Sequence, residues 1–171
     1  MPTGPEIEQS VYEWWSGSLK RFLQERPDEV YTGLAAVCNP FDPGFFLCLG
    51  TEQDRGEPPE EWRYESFDYD RTTRDGFNAH FAWLYGFGRE LGASDKPRRR
   101  DLFETFIEAL MRAMIRVERE SVEDSPRFST PADVFVFYED DELDRARERY
   151  RTLKEGQIVP GWSKAIAGMK G

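Results

Sequence analysis

Residues 30–50 read VYTGLAAVCNPFDPGFFLCLG, and this stretch decides the fold. Its two apolar runs, residues 30–38 and 45–50, flank a segment of Asn, Pro, Asp and Gly, which is the composition of a turn. Both runs are almost continuously apolar, as is typical of strands that are covered on both faces of a sheet. The sequence therefore predicts a β-hairpin in the interior of the domain.

The two cysteines, Cys38 and Cys48, lie one in each predicted strand. If the hairpin is centred on Pro43, they face each other, and opposed residues have Cβ atoms about 4.5–5.5 Å apart, which a disulfide can bridge. The alternative, which we favour for a cytoplasmic chain, is a pair of reduced cysteines in the core.

The rest of the chain is mainly helical in pattern. Apolar residues recur every three or four positions in residues 5–26, 72–91 and 98–121, and in a last segment that ends at Gly156. Residues 62–67 and 133–138 have the composition of short strands. Because strands and helices do not alternate regularly, we predict an α+β fold, with a small mixed or antiparallel sheet of about three to five strands packed against about four helices.

The composition indicates one acidic domain. The chain has 171 residues, with 23 Lys and Arg against 33 Asp and Glu, a formal net charge of −10. We expect a single domain over residues 1–171, with residues 1–27 forming an N-terminal helix and residues 157–171 a loosely held tail. No signal peptide or membrane-spanning stretch is recognisable, so we expect a cytoplasmic protein with no membrane partner. The negative charge disfavours nucleic acid as a partner.

Signatures of catalysis are missing from the sequence. The single histidine, His80, excludes two-histidine metal motifs, and phosphate-binding glycine loops and the nucleophile elbow of hydrolases are absent. We expect no cofactor, no metal site and no catalytic residue. A hydrolase that uses carboxylates, with or without a divalent metal, remains as an alternative, and its candidate residues are Glu52, His80, Asp140 and Asp141.

Two charged clusters have both a functional and a structural interpretation. The acidic run at residues 139–144 has the oxygen ligands of a divalent cation, but Asp140 or Asp141 as the N-cap of the last helix explains it more simply. Arg98, Arg99 and Arg100 stand at a helix start, where they would attract an anion. The alternative for these arginines is a solvated linker that nearby acids balance.

The stretch from residue 62 to residue 70 interleaves aromatic rings with acids. Rings supply binding hot spots and carboxylates steer a basic partner, so we assign partner binding to this stretch. The alternative is that Trp62 and Phe67 belong to the core while the acids are merely solvated. The assigned residues are Trp62, Tyr64, Glu65, Asp68, Tyr69 and Asp70.

The segments FLCLGTE at residues 46–52 and EWRY at residues 61–64, with VFVFY and EDDE at residues 134–142, resemble a family of small bacterial proteins of unknown function. In that family an apolar hairpin runs into a Thr-Glu turn, usually preceded by Asn where this chain has Gly50. A Glu-Trp-x-Tyr stretch, paired helices and a late strand followed by acids come next. The resemblance implies an α+β domain of the bacterial cytoplasm with no catalytic residues to carry over. By analogy it also implies an immunity or antitoxin-like protein.

These observations favour a non-enzymatic protein-binding domain. We expect it to neutralise a basic protein partner, of which a toxin is one example, through an acidic, aromatic-rich surface. A structural or assembly subunit is the remaining alternative, in which Trp14, Trp15 and Trp162 form contacts of a homo-oligomer.

Overall fold

The computed structural model describes residues 2–39, 44–64, 74–138 and 142–156, without the side chains of residues 39, 44 and 74–80. Within these residues lie four helices and three strands, together with two short 3₁₀ turns at Glu52–Asp54 and Pro59–Glu61. The elements are α1 (Gly4–Glu25), β1 (Tyr31–Asn39), β2 (Gly44–Gly50), α2 (Arg74–Ala93), α3 (Lys96–Ser121), β3 (Phe128–Tyr138) and α4 (Leu143–Lys154). The predicted α+β class is confirmed. In this part of the chain, no helix is both long enough and apolar enough to span a bilayer.

The three strands form one mixed sheet in the order β2-β1-β3. β2 follows β1 in the chain and pairs with it in antiparallel orientation, whereas β3 comes only after two helices and pairs with the other side of β1 in parallel orientation. This topology explains why residues 34–38 of β1 are continuously apolar, because β1 is the central strand and these residues are buried on both faces.

The hairpin register separates the two cysteines. Cys38 lies opposite Phe45, and Cys48 lies opposite Ala35, so the pairing predicted from a hairpin centred on Pro43 is wrong. The cysteines are three pairs apart along the ladder, and an odd offset places their side chains on opposite faces of the sheet. Both are buried and neither is in a disulfide, which agrees with the favoured alternative.

The first three helices pack on one face of the sheet, and Phe45 of β2 contacts all three of them. Its ring makes edge contacts with Trp15 of α1 and Phe81 of α2, with ring centroids 5.8 and 4.8 Å apart, and a tilted contact with Phe106 of α3. Trp14 and Trp15 are both buried in this core, so these two of the three rings predicted as oligomer contacts pack inside the chain itself. The third, Trp162, lies outside the described residues, as does the predicted tail at residues 157–171.

The opposite face is covered in part by Trp62, which lies on a pair of glycines. Gly33 and Gly50 are direct partners across β1 and β2, and a Cβ atom added to them would approach the Trp62 ring to 2.8 and 3.0 Å, respectively. The same ring meets Phe135 of β3 edge-on at 6.0 Å. Trp62 is only 6% exposed, so this indole forms part of the core.

The glycine pair yields a stability prediction. Replacing Gly33 by Ala is expected to lower the free energy of unfolding by about 1–3 kcal/mol, because the new methyl group displaces the Trp62 ring from the sheet. Urea denaturation followed by circular dichroism measures the change.

Gly17→Ala is the matched control. Gly17 lies within α1 with nothing near its Cβ direction, so alanine is expected to raise stability there by about 0.5–1 kcal/mol through helix propensity. If both substitutions stabilise the protein, close packing of Trp62 on Gly33 is ruled out.

Candidate partner-binding surface

Residues 51–64, which we call the acidic loop, return the chain from the end of β2 to the edge of the same strand. Asp54 holds the start of the loop, because its Oδ2 accepts hydrogen bonds of 2.7 Å from both the backbone N–H and the hydroxyl of Thr51. Its Oδ1 accepts the backbone N–H of Arg63 at 3.0 Å, which links the start of the loop to its end. One carboxylate therefore sets the shape of the loop.

The two rings at the end of the loop fasten it to the sheet. The indole N–H of Trp62 donates to the carbonyl of Glu57 at 2.9 Å, which ties the middle of the loop down beside the buried ring. The backbone N–H of Leu49 in β2 donates to the carbonyl of Tyr64 at 3.0 Å. Tyr64 thereby forms an isolated antiparallel bridge with β2. The strand predicted from residue 62 is thus a single bridge at Tyr64 within the described residues.

Tyr64 stands at the centre of an aromatic cluster. Its half-buried ring makes edge contacts with Phe22 and Tyr31, with centroids 5.1 and 5.9 Å away. Its hydroxyl donates to Oε2 of Glu29, which also accepts the hydroxyl of Tyr31 at 3.1 Å. The guanidinium of Arg26 lies over the rings of both Phe22 and Tyr64. This cluster joins the acidic loop to the end of α1 and the start of β1.

The shared hydrogen bonds set the ionisation of the cluster. The hydrogen bond from Tyr64 is the main cause that lowers the pKa of Glu29, and the second hydroxyl and the neighbouring arginines act in the same direction. Burial, followed by the hydrogen bond to Glu29, raises the pKa of both Tyr31 and Tyr64. Glu29 therefore stays ionised and both phenols stay protonated at neutral pH.

Three of the five carboxylates of the acidic loop belong to exposed residues, whereas Asp54 and Glu60 are half-buried. Glu57 and Glu61 are exposed, and so is Glu52, whose carboxylate pairs with Arg55 at 2.7 Å. Asp28 is also exposed and stands beside Glu29 at the neighbouring turn. The loop thus has its rings turned inward and most of its charges turned outward.

The six residues predicted for partner binding differ in their exposure to solvent, and four of them are not described by the structure. Trp62 is buried in the core, as the alternative interpretation expected for it, so its ring is not exposed to a partner. Phe67, the other ring in that alternative, lies outside the described residues. Tyr64 is half-buried with its hydroxyl occupied. Glu65, Asp68, Tyr69 and Asp70 lie outside the described residues. Glu29, which the sequence analysis does not single out, is brought to the site only by the fold.

The arginines predicted to contact an anion have partners within the chain. Arg98 pairs with Glu90 at 2.5 Å, and Arg100 pairs with Glu104 at 2.7 Å. Arg99 donates from its guanidinium to the carbonyls of residues 91, 92 and 94, which closes the C-terminal end of α2. The backbone N–H of Arg98 donates to the side chain of Asp95, which caps the start of α3.

The residues of the hydrolase alternative are not assembled within the described part of the chain. Glu52 is paired with Arg55, Asp140 and Asp141 lie outside that part, and His80 lies in α2 among the side chains that are not described. No group of metal-ligating side chains occurs in the ranges that the structure describes. The N-cap of α4 is Glu142, not Asp140 or Asp141 as predicted, and its side chain makes no capping hydrogen bond.

The Glu29 cluster generates a pH-dependent prediction. Tyr64→Phe is expected to lower stability at pH 7 by about 1 kcal/mol, because it removes a hydrogen bond to a charged acceptor. The folded pKa of Glu29 is lowered, so this stabilisation is complete above the unfolded pKa of about 4.3 and is lost as the pH falls through the folded value. The difference between wild type and variant, measured by urea denaturation, should shrink from about pH 5 to about pH 3.

The control for this prediction removes the titrating group. In a Glu29→Gln background, Tyr64→Phe is expected to have the same effect at both pH values. A wild-type difference that stays constant with pH would contradict the assignment of the charge to Glu29.

The arginine cluster generates a second prediction. Arg99→Gln is expected to lower the free energy of unfolding by about 1–2 kcal/mol, because it uncaps the carbonyls at the end of α2. Arg98→Gln and Arg100→Gln remove the same charge from exposed pairs and should cost about 0–1 kcal/mol each. Equal effects of all three substitutions in thermal unfolding would show that Arg99 has no special structural role.

The geometry divides the acidic loop into an inner side that fastens it and an outer side that is free to meet another molecule. Family models, characterised proteins and solved structures were all compared with this chain, and none matched.

Proposed function

We propose that this protein is a non-enzymatic binding domain that engages a basic protein through the outer side of the acidic loop. The observation that supports it is that different residues of the acidic loop hold its structure and face solvent. Asp54, Trp62 and Tyr64 make the contacts that hold the loop. The side chains of Glu57 and Glu61 are exposed. A loop that is fixed before binding loses little conformational entropy in the complex. Fixed exposed carboxylates are therefore suited to meeting lysine and arginine side chains.

The charge of the whole chain supports the same proposal. A net charge of −10 accelerates the encounter with a basic protein and disfavours acidic partners. Because the rings of the loop face inward, charge carries more of the recognition than the sequence analysis expected. Binding of this kind depends strongly on salt.

The biological form that we propose is an immunity or antitoxin-like protein that neutralises a basic toxin. The support is the resemblance to small bacterial proteins together with this acidic surface. We further propose the bacterial cytoplasm as its location, which the two cysteines outside any disulfide support.

The experiment compares two variants that lose the same charge. Glu57→Gln/Glu61→Gln neutralises the outer side of the acidic loop, whereas Glu13→Gln/Asp124→Asn neutralises two exposed acids on α1 and after α3. The basic protein retained by the wild-type chain from its source organism serves as the partner. We expect the loop variant to reduce the association rate at low salt by about 3- to 10-fold, and the control variant to have a smaller effect.

Salt provides the second readout of this experiment. Raising the salt concentration from about 0.1 M towards about 1 M shortens the Debye length from about 10 to 3 Å and should remove most of the difference between wild type and loop variant. Capture of partners that are not basic, or a rate that neither salt nor the loop variant changes, would refute the proposal.

A further inference from the structure

Helix α4 has a charge opposite to that of the rest of the chain. The helix contains two acids, Asp144 and Glu148, and five basic residues, a net charge of +3. Since the whole chain carries −10, the remaining residues carry −13. The basic residues are Arg145, Arg147, Arg149, Arg151 and Lys154. A basic helix therefore lies on an acidic domain.

The surface under α4 supplies acids to these cations. Arg147 pairs with Asp133 of β3, with Nη2 and Oδ2 2.5 Å apart. Lys154 lies 3.0 Å from Oε1 of Glu118 and 2.7 Å from Oε1 of Glu123, at the C-terminal end of α3. Glu118 is only 8% exposed, and its Oε2 accepts the hydroxyl of Tyr150 at 2.9 Å.

Two aromatic rings of β3 also face cations of α4. The guanidinium of Arg147 lies 5.0 Å from the centroid of Phe135, and that of Arg149 lies 4.8 Å from the centroid of Tyr138. Both distances are within the range of cation–π attraction. These rings and acids together form the α4 seat, which consists of Glu118, Glu123, Asp133, Phe135 and Tyr138.

Apolar burial contributes less to the docking of α4 than to that of the other helices. Only Ala146 and Tyr150 of its 12 residues are buried, with Leu143 and Leu153 partly buried against the core, whereas α3 buries nine apolar residues in addition to Glu118. A helix of this length is marginally stable alone in water, so α4 stays helical chiefly because it is docked. A groove of about 480 Å³ runs beside it, between its charged face and β3. Attachment through ion pairs makes the helix separable from the core.

We propose that α4 is an intramolecular basic ligand, a strap that opens independently of the core, and that a basic amphipathic helix of the partner occupies the α4 seat when the strap opens. The complementary charge of the seat, which α4 itself satisfies, identifies the chemistry of this occupant. The identity of the occupant rests on the proposed function, whereas the opening of the strap does not. The seat would then act as a second contact beside the acidic loop.

The first test measures the opening of the strap by amide hydrogen exchange on the intact chain. In the wild type, amides of α4 should exchange faster than those of α1 and α3, and added salt should widen the difference. Arg147→Gln/Lys154→Gln removes the ion pairs with all three acids of the seat and should speed exchange in α4 by about tenfold.

The matched control removes two charges from the same helix without touching the seat. Arg145 is exposed, and Arg151 pairs with Glu148 within α4 itself. Arg145→Gln/Arg151→Gln should therefore change exchange in α4 by less than about threefold. Equal exchange in α4, α1 and α3 that does not respond to salt would overturn the strap, while leaving the proposal for the acidic loop intact.

The second test addresses the occupant. A fluorescent peptide of residues 142–156 serves as the basic helix, and its anisotropy is measured with the wild type, with Arg147→Gln/Lys154→Gln and with the control variant. The peptide should bind the opened variant at least about tenfold more tightly than the wild type or the control.

Either of two results would overturn the proposal that a basic helix of the partner binds the α4 seat. One is equal affinity of the peptide for all three proteins, and the other is a dimer of the opened variant in sedimentation, formed by exchange of α4 between two copies. A failure of the acidic-loop experiment alone would instead refute the proposed function and leave the opening of α4 established.

Discussion

The contact on which the candidate site depends is the packing of one indole on two glycines. Trp62 fits against the sheet because Gly33 and Gly50 are paired directly across the hairpin, where any larger residue would meet the ring. The buried indole also donates a hydrogen bond to the carbonyl of Glu57, so the same ring that covers the sheet holds the acidic loop in place. A change in the packing of Trp62 on the sheet would consequently also change the position of the acidic loop and of its exposed carboxylates.

Charge is arranged on two levels in this molecule. At the acidic loop, the carboxylates of Glu57 and Glu61 are exposed, whereas at the α4 seat carboxylates pair with cations of the chain's own helix. Exposed ion pairs contribute little to stability individually, and our proposal for α4 is that several of them together hold one short helix in place. The two regions thus share one chemistry, in which acids of the domain meet basic groups from outside or from within.

The sequence predicted the helices, the strands of the hairpin and the α+β class because these depend on local periodicity. It did not predict the register of the hairpin. The centre of the hairpin lies one and a half residues before the predicted centre at Pro43, and this shift places Cys38 and Cys48 on opposite faces of the sheet. The direction of Trp62 was equally out of reach, because it is decided by glycines that are distant in sequence. The sequence also did not predict the burial of Glu118, which is explained by its contacts with Tyr150 and Lys154 of a helix distant in sequence.

The placement of the two thiols has a practical consequence. Cys38 and Cys48 are both shielded, but they lie beneath different layers, one on the side of Phe45 and the first three helices and the other on the side of Trp62. An alkylating reagent can reach each sulfur only when its own layer separates from the strands. In two single-cysteine variants of this chain, the rate of alkylation would therefore report separately how often the structure opens on each face of the sheet.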